Sequence, residues 1–158
     1  FLDKSATIPI ADVRSPAEYK KGRIPGAYNI PLFSNEERAE VGTLYKQESK
    51  ESAILRGLDI VGPTMSNFVK QARRLAPNGH ILLYCWRGGM RSGSMAWLFQ
   101  TAGMNAITLK GGYKAYRGYI RAAFSKASKL IVLGGMTGSG KTAMLHALKR
   151  NGDQIVDL

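Results

Sequence analysis

Residues 84 to 92 read YCWRGGMRS and contain the only cysteine of the chain. The apolar run HILLY (80 to 84) leads into Cys85, and a helix-like stretch, SGSMAWLF, follows from Ser92. Between them, Trp86, Arg87, Gly88, Gly89 and Met90 must curl if strand is to pass into helix, and Gly88 and Gly89 allow the backbone angles this needs. Amides turned inward by such a curl, with the positive end of the next helix, form a nest for an anion. The same field favours a thiolate at the centre of the nest, and Arg91 adds a planar fork able to grip an oxyanion. The bland alternative is a small packed cysteine before a glycine turn. The glycines, the two arginines and the strand-loop-helix context together favour a nucleophile.

A second glycine loop, GMTGSGKT (135 to 142), fits the pattern G-x-x-x-x-G-K-[ST] in full. Gly135, Gly138, Ser139 and Gly140 would let the backbone wrap phosphates, Lys141 would supply a point charge, and Thr142 could ligate magnesium. Only sixteen residues follow Thr142, too few for the rest of a P-loop domain. The chain is therefore expected to be a piece of a longer protein. His80 and His146 have no partner at ligand spacing, so no resident metal site is expected.

These loops need elements to hold them. IPIADVR (8 to 14) has the pattern of a buried strand, and SPAEYKKG that of a helix capped by Ser15, with Pro16 in its first turn and Gly22 as its stop. A short strand is expected near Tyr28 to Ile30, helices over 47–57 and 65–76 with the breaker VGP at 61 to 63, a strand at HILLY, and a helix ending at Gly103. A strand at AITL closed by Gly111 and Gly112, a helix over 113–128, a strand at LIVLGG, a helix at KTAMLHALKR and a strand at QIVDL complete the series. Strands alternating with helices predict an α/β fold with a parallel sheet flanked by helices. Ligands in such sheets sit beyond the carboxyl ends of strands, where both glycine loops fall. The domain division expected is 1–128 and 129–158, the second being the incomplete start of a P-loop α/β domain.

Charge separates the halves. The net charge is +12, yet residues 1–66 carry nine Lys/Arg against nine Asp/Glu, and no acid occurs from Ile60 to Gly152. A long acid-free stretch suits a polyanion such as nucleic acid, or a phosphorylated substrate. In GGYKAYRGYIRAAFSKASK (111 to 129), Tyr113, Tyr116, Ile120, Ala123 and Ala127 form one helical stripe suited to packing. Lys114, Arg117 and Arg121 form an adjacent basic stripe, either a solvated face or a contact with a phosphate backbone. No apolar run approaches the ~18 residues of a membrane span. With one cysteine, the expected setting is the reducing cytoplasm, away from membranes.

DVRSPAEYKKGRIPGAYNIPL (12 to 32) together with YCWRGGMRS resembles the rhodanese family of sulfurtransferases over residues 8 to 125. Asp12, Arg14, Glu18, Tyr19, Gly22, Ile24, Pro25, Gly26, Ala27 and Pro31 fall in register, while Arg23 stands where the family commonly has His. The resemblance implies that family's α/β fold and its cysteine chemistry, with Asp12 and Arg14 supporting the loop. Common rhodaneses place four residues between the cysteine and the loop arginine, whereas Cys85 and Arg91 have five between them, the spacing of cysteine-dependent phosphatases. Tyr84, however, stands where tyrosine phosphatases carry His.

The order of the two motifs, with VGTLYKQESKESAILRG (41 to 57) and GGYKAYR, resembles the bacterial tRNA 2-selenouridine synthases. That resemblance implies selenophosphate and geranyl diphosphate as substrates, tRNA as partner, and Cys85 as a nucleophile carrying selenium as a selenosulfide. It implies no tightly bound cofactor, although a nucleotide with magnesium is a further expectation at the P-loop. A thiosulfate sulfurtransferase, a phosphatase and a non-catalytic tRNA-docking module are the alternatives.

Overall fold

The computed structural model describes residues 7–125 and 131–156. Four parallel strands, β1 (Ile10–Asp12), β2 (Tyr28–Asn29), β3 (His80–Tyr84) and β4 (Asn105–Thr108), form one sheet in the order β2-β1-β3-β4. Asp12 lies beside Tyr84 and Leu83 beside Thr108, so the sheet's carboxyl edge is built around the end of β3.

Because side chains alternate along a strand, β3 feeds two cores. Ile81, Leu83 and Cys85 pack with Ala11, Val13, Phe68, Met95 and Phe99. Leu82 and Tyr84 pack with Ile10, Ile24, Ala27 and Tyr113 on the other face. Both faces of β3 are dry, which explains why HILLY has no polar alternation.

Local chemistry sets the helices. Helix α1 (Pro16–Lys21) opens with a reciprocal capping box between Ser15 and Glu18. A helix absent from the sequence expectation, α2 (Asn35–Gln47), begins with the same device at Ser34 and Glu37. It is mostly polar and buries no side chain fully, so it lacks the apolar period that betrays helices. The helix expected over 47–57 is α3 (Lys50–Val61), capped by Ser49. The expected break at Gly62 and Pro63 is a single 3-10 turn leading into α4 (Met65–Leu75). Helix α5 (Met90–Thr101) follows the cysteine loop, and α6 (Gly112–Phe124) follows β4. The remainder of the helix expected to reach residue 128 lies largely outside the described residues.

Residues 125 to 158 form a second unit. It contains the helix α7 (Lys141–Arg150). The strands expected at LIVLGG and QIVDL are absent from the described parts of those runs. Ile131, Val132 and Val156 are exposed, and a strand exists only when a neighbour completes its ladder. Among the described residues of this unit none does.

Candidate active site

The cysteine loop is shaped by what it leans on. Gly88 has φ 66°, and a Cβ there would stand 2.6 Å from the Leu109 carbonyl oxygen and 2.8 Å from the Gly111 nitrogen. Gly112 has φ 58°, and its Cβ would collide with the Cys85 carbonyl and stand 2.5 Å from the Gly88 nitrogen. Both positions therefore require glycine on two counts, conformation and space. The Tyr113 amide donates to the Cys85 carbonyl at 2.9 Å and the Lys114 amide to the Trp86 carbonyl at 3.0 Å. Two loop carbonyls thus satisfy otherwise orphaned amides in the first turn of α6. Turning those carbonyls outward leaves the loop's amides facing inward.

The inward side converges on sulfur. Cys85 is buried, and its Sγ lies 3.2 Å from Ser92 Oγ. Burial alone pushes the thiol upward. The Ser92 hydroxyl and the backbone amides of Ser92, Gly89 and Arg87 outweigh that effect and hold it below the ordinary thiol value. Ser92 Oγ also donates to the Gly89 carbonyl at 3.2 Å. Its hydroxyl can therefore accept from a thiol and swing to donate to a thiolate. Ser92 is fully buried, as Cys85 nearly is, whereas Arg87 and Met90 are exposed at the rim.

Arg91 is held by α1. Its Nη1 donates to Glu18 Oε2 at 2.7 Å and its Nη2 to Oε1 at 3.4 Å. Burial pushes the Glu18 carboxyl up, but the Arg91 hydrogen bond and charge dominate and hold it below its ordinary range. Glu18 Oε2 also accepts from the Ser15 amide at 3.2 Å. One carboxylate therefore caps α1 and aligns the loop arginine. In the sequence, Glu18 reads only as a residue of the family signature, since its partner Arg91 lies 73 positions away.

Beneath the loop lies a buried ion pair. Arg14 Nη2 donates to Asp12 Oδ2 at 2.6 Å and to the Gly22 carbonyl at 2.7 Å, and Arg14 Nε donates to Asp12 Oδ1 at 2.9 Å. The guanidinium lies 4.1 Å from the ring centre of Tyr113, 5.4 Å from that of Tyr84 and 6.0 Å from that of Trp86. Tyr84 and Trp86 flank Cys85 in the chain, so this cation braces the loop from both sides of its cysteine. Tyr113 and Gly112 belong to the site as supports. Sequence reading placed Tyr113 in a packing stripe and took Gly112 for a strand stop, because contacts between distant loops have no local signal.

Tyr113 is buried, and Tyr116 and Ile120 are half-buried, whereas Ala123 is exposed and Ala127 lies outside the described residues. Lys114, Arg117 and Arg121 are exposed along α6. The stripe starts at the residue whose amide binds the Trp86 carbonyl, so it runs away from the outer side of the cysteine loop.

In the second unit, Gly138 and Gly140 have φ 83° and 84°, and α7 begins at Lys141 directly after Gly140. Lys141 Nζ donates to the Gly135 and Met136 carbonyls, each at 2.8 Å. The lysine thus folds back over its own loop, while Thr142 is exposed at the start of the helix. Among the described residues, no group of three or more His, Cys, Asp or Glu could hold a metal ion. No helix among them is long and apolar enough to cross a membrane.

A tRNA 2-selenouridine synthase of Pseudomonas putida (strain GB-1) is 41% identical over 170 residues, covering 100% of this chain and 42% of that protein. The protein of that name from Bdellovibrio bacteriovorus is 42% identical over 161 residues, covering 96% of this chain and 41% of its own length. The chain spans about two-fifths of the length of the curated relatives it matches. Among solved structures, the N-terminal domain of a candidate ATP/GTP binding protein from Clostridium difficile 630 is 43% identical with a TM-score of 0.71, covering 75% of this chain and 95% of that one. A family model described as Rhodanese-like domain matches residues 2–119. With a parallel sheet that delivers a buried cysteine into a glycine-bent loop, the chain belongs to the rhodanese-like domain family.

Proposed function

We propose that the chain is the selenium-transfer part of a tRNA 2-selenouridine synthase. In this reading, the sulfur of 2-thiouridine at the tRNA wobble position first receives a geranyl group from geranyl diphosphate, which makes it a leaving group. Selenium from selenophosphate then replaces it, with the Cys85 thiolate as the nucleophile that opens the donor. The observation that carries the reading is the buried Cys85 at the head of a glycine-bent loop, its Sγ 3.2 Å from the Ser92 hydroxyl, with hydroxyl and loop amides holding the thiol below its ordinary value. It is joined by the shared name of relatives about 40% identical to the chain. Selenophosphate is a tetrahedral anion, and a C-x5-R loop offers it one more residue of perimeter than a C-x4-R loop.

The loop's inward amides receive the phosphoryl oxygens, and Arg91, aligned by Glu18, supplies positive charge at the helical end. Arg87 adds charge at the rim. The Asp12–Arg14 pair holds the rings beside Cys85 in place. Lys114, Arg117 and Arg121, on the stripe that leads away from the loop along α6, contact the tRNA backbone. Gly135, Gly138, Ser139, Gly140, Lys141 and Thr142 form a cradle for a diphosphate, from geranyl diphosphate or from a nucleotide with magnesium shared by Thr142.

The test supplies selenophosphate, thiosulfate and an aryl phosphate side by side, with 2-thiouridine tRNA present. Selenium reaching the tRNA, with little thiosulfate sulfurtransfer, supports the reading. Turnover of thiosulfate or aryl phosphate without selenium transfer assigns the loop to one of the other two chemistries. A thiol that titrates at the free value of about 8.5 would favour a non-catalytic docking module.

A further inference from the structure

We propose that Cys85 attacks the phosphorus of selenophosphate and not its selenium, so that the protein keeps the phosphoryl group and passes selenium on as hydrogen selenide. The inference rests on the proposed function above and decides which atom of the donor the sulfur takes. It revises the expectation of a selenosulfide on Cys85.

Electron counting separates the two steps. Selenium in selenophosphate is already at the selenide level. Attack on selenium forms an S–Se bond, and the P–Se electron pair must then remain on phosphorus, expelling trivalent phosphite. A selenosulfide with ordinary phosphate as coproduct would need an added oxidant. Attack on phosphorus uses a thiolate lone pair to form S–P, while the P–Se pair departs on selenium as hydrogen selenide. No atom changes oxidation state. The selenide then displaces the geranylated sulfur at C2 of the tRNA base. Water afterwards cleaves the S–P bond, giving hydrogen phosphate and the Cys85 thiol.

The loop geometry favours the same choice. Ser92 Oγ lies 3.2 Å from Sγ, and the loop bent at Gly88, with its Cys85 and Trp86 carbonyls bound outward by α6, turns its amides toward the sulfur. Oxygens borne by an atom bonded directly to Sγ fall among those donors. With selenium interposed, the phosphoryl oxygens would stand one bond length further out, away from them.

The surroundings also select the leaving group. No acid occurs in the sequence from Ile60 to Gly152. The two carboxylates described beside the loop's supports, Asp12 and Glu18, are bound to Arg14 and Arg91 at 2.6 and 2.7 Å. Both are engaged by guanidinium donors, and neither is free to donate to a departing alkoxide. Hydrogen selenide leaves as an anion at neutral pH and requires no such donor, so the site suits a P–Se bond better than a phosphate ester.

The test uses selenophosphate labelled with both 32P and 75Se, mixed with the protein and stopped in neutral denaturant within milliseconds to seconds. Expected is 32P on Cys85, approaching one per protein, with 75Se at background, and neither label on Cys85→Ser. Selenide release should occur without tRNA. Retention of 75Se without 32P would overturn the inference while leaving the selenium-transfer reading intact. Cys85-dependent selenation with neither label retained and no tRNA-independent selenide would overturn it too. Failure of the unmodified protein to selenate tRNA would instead remove the underlying reading. As a second measurement, cleavage of aryl phosphates should fall steeply as the leaving group becomes more basic. A flat dependence would reveal a general acid and overturn the leaving-group argument.

Discussion

Gly112→Ala probes how the β4–α6 connection shapes the cysteine loop, and Gly111→Ala supplies the control. Both glycines have positive φ, 75° at Gly111 and 58° at Gly112, so either alanine costs about 1–2 kcal/mol in left-handed backbone. Their surroundings differ. A Cβ at Gly111 meets the Ala115 methyl at 2.7 Å, on the following helix. The three atoms nearest a Cβ at Gly112 are all backbone of the cysteine loop, including the Gly88 nitrogen at 2.5 Å and the Arg87 nitrogen at 2.9 Å. No rotamer relieves that contact, so the loop must retreat by about 1 Å to reach ordinary van der Waals distance. A shift of that size costs roughly 10²-fold where reacting geometry is at stake.

Both variants should lose stability, about 1–3 kcal/mol for Gly111→Ala and about 2–5 kcal/mol for Gly112→Ala, with overpacking added to the backbone cost. Only Gly112→Ala should dissolve the amide nest. Iodoacetamide alkylation of Cys85 against pH is the assay, with a thermal melt confirming that each variant is folded at the assay temperature. The Gly112→Ala thiol should titrate higher than the parent's, toward its ordinary value, while Gly111→Ala stays near the parent. Identical profiles for Gly112→Ala and the parent, or equal shifts in both variants, would refute the claim that Gly112 shapes the nest.

Ser92→Ala removes the hydroxyl 3.2 Å from Sγ and should raise the thiol's titration midpoint, measured by the same alkylation curve. Because Cys85 is held below its unfolded value, its ionised form adds stability above the ordinary thiol range, and that stability is lost as pH falls through the lowered value. Melts from neutral to alkaline pH should therefore show less gain for Ser92→Ala. Glu18→Gln should cost about 1–2 kcal/mol and release Arg91, lowering selenium transfer roughly tenfold to a hundredfold if the fork aligns the donor. Glu18 is likewise held below its ordinary value, so its contribution is complete above the normal carboxylate range and disappears as pH falls through the lowered one. Neutralising Lys114 and Arg117 should weaken tRNA binding and reduce the salt slope by about 0.7–0.9 per lost phosphate contact. An unchanged slope would make α6 a solvated face.

The sequence made the chemistry legible where local signals are strong. Ser15 and Pro16 mark the start of α1, HILLY marks the central strand, and the glycines after Cys85 mark the loop. Contacts between distant segments carried no such signal. Glu18 lies 73 positions before Arg91, and in the sequence it stood only as one residue of the family signature. Gly112 looked like a strand stop because its neighbour across space, the Cys85 carbonyl, is far away in the chain. Helix α2 was hidden by its polar composition, although Ser34 and Glu37 had its capping signature. The strand readings at LIVLGG and QIVDL failed in the described residues for the converse reason. Their composition suits a buried strand, but no partner strand receives them there.

The most direct test of the central claim is transfer of 75Se from selenophosphate to 2-thiouridine tRNA by the protein and by Cys85→Ser, with geranyl diphosphate supplied and tRNA affinity measured in parallel. The account predicts tRNA labelling by the unmodified protein, and labelling at background for the serine variant with unchanged tRNA affinity. Selenium transfer by Cys85→Ser at the unmodified rate would contradict it.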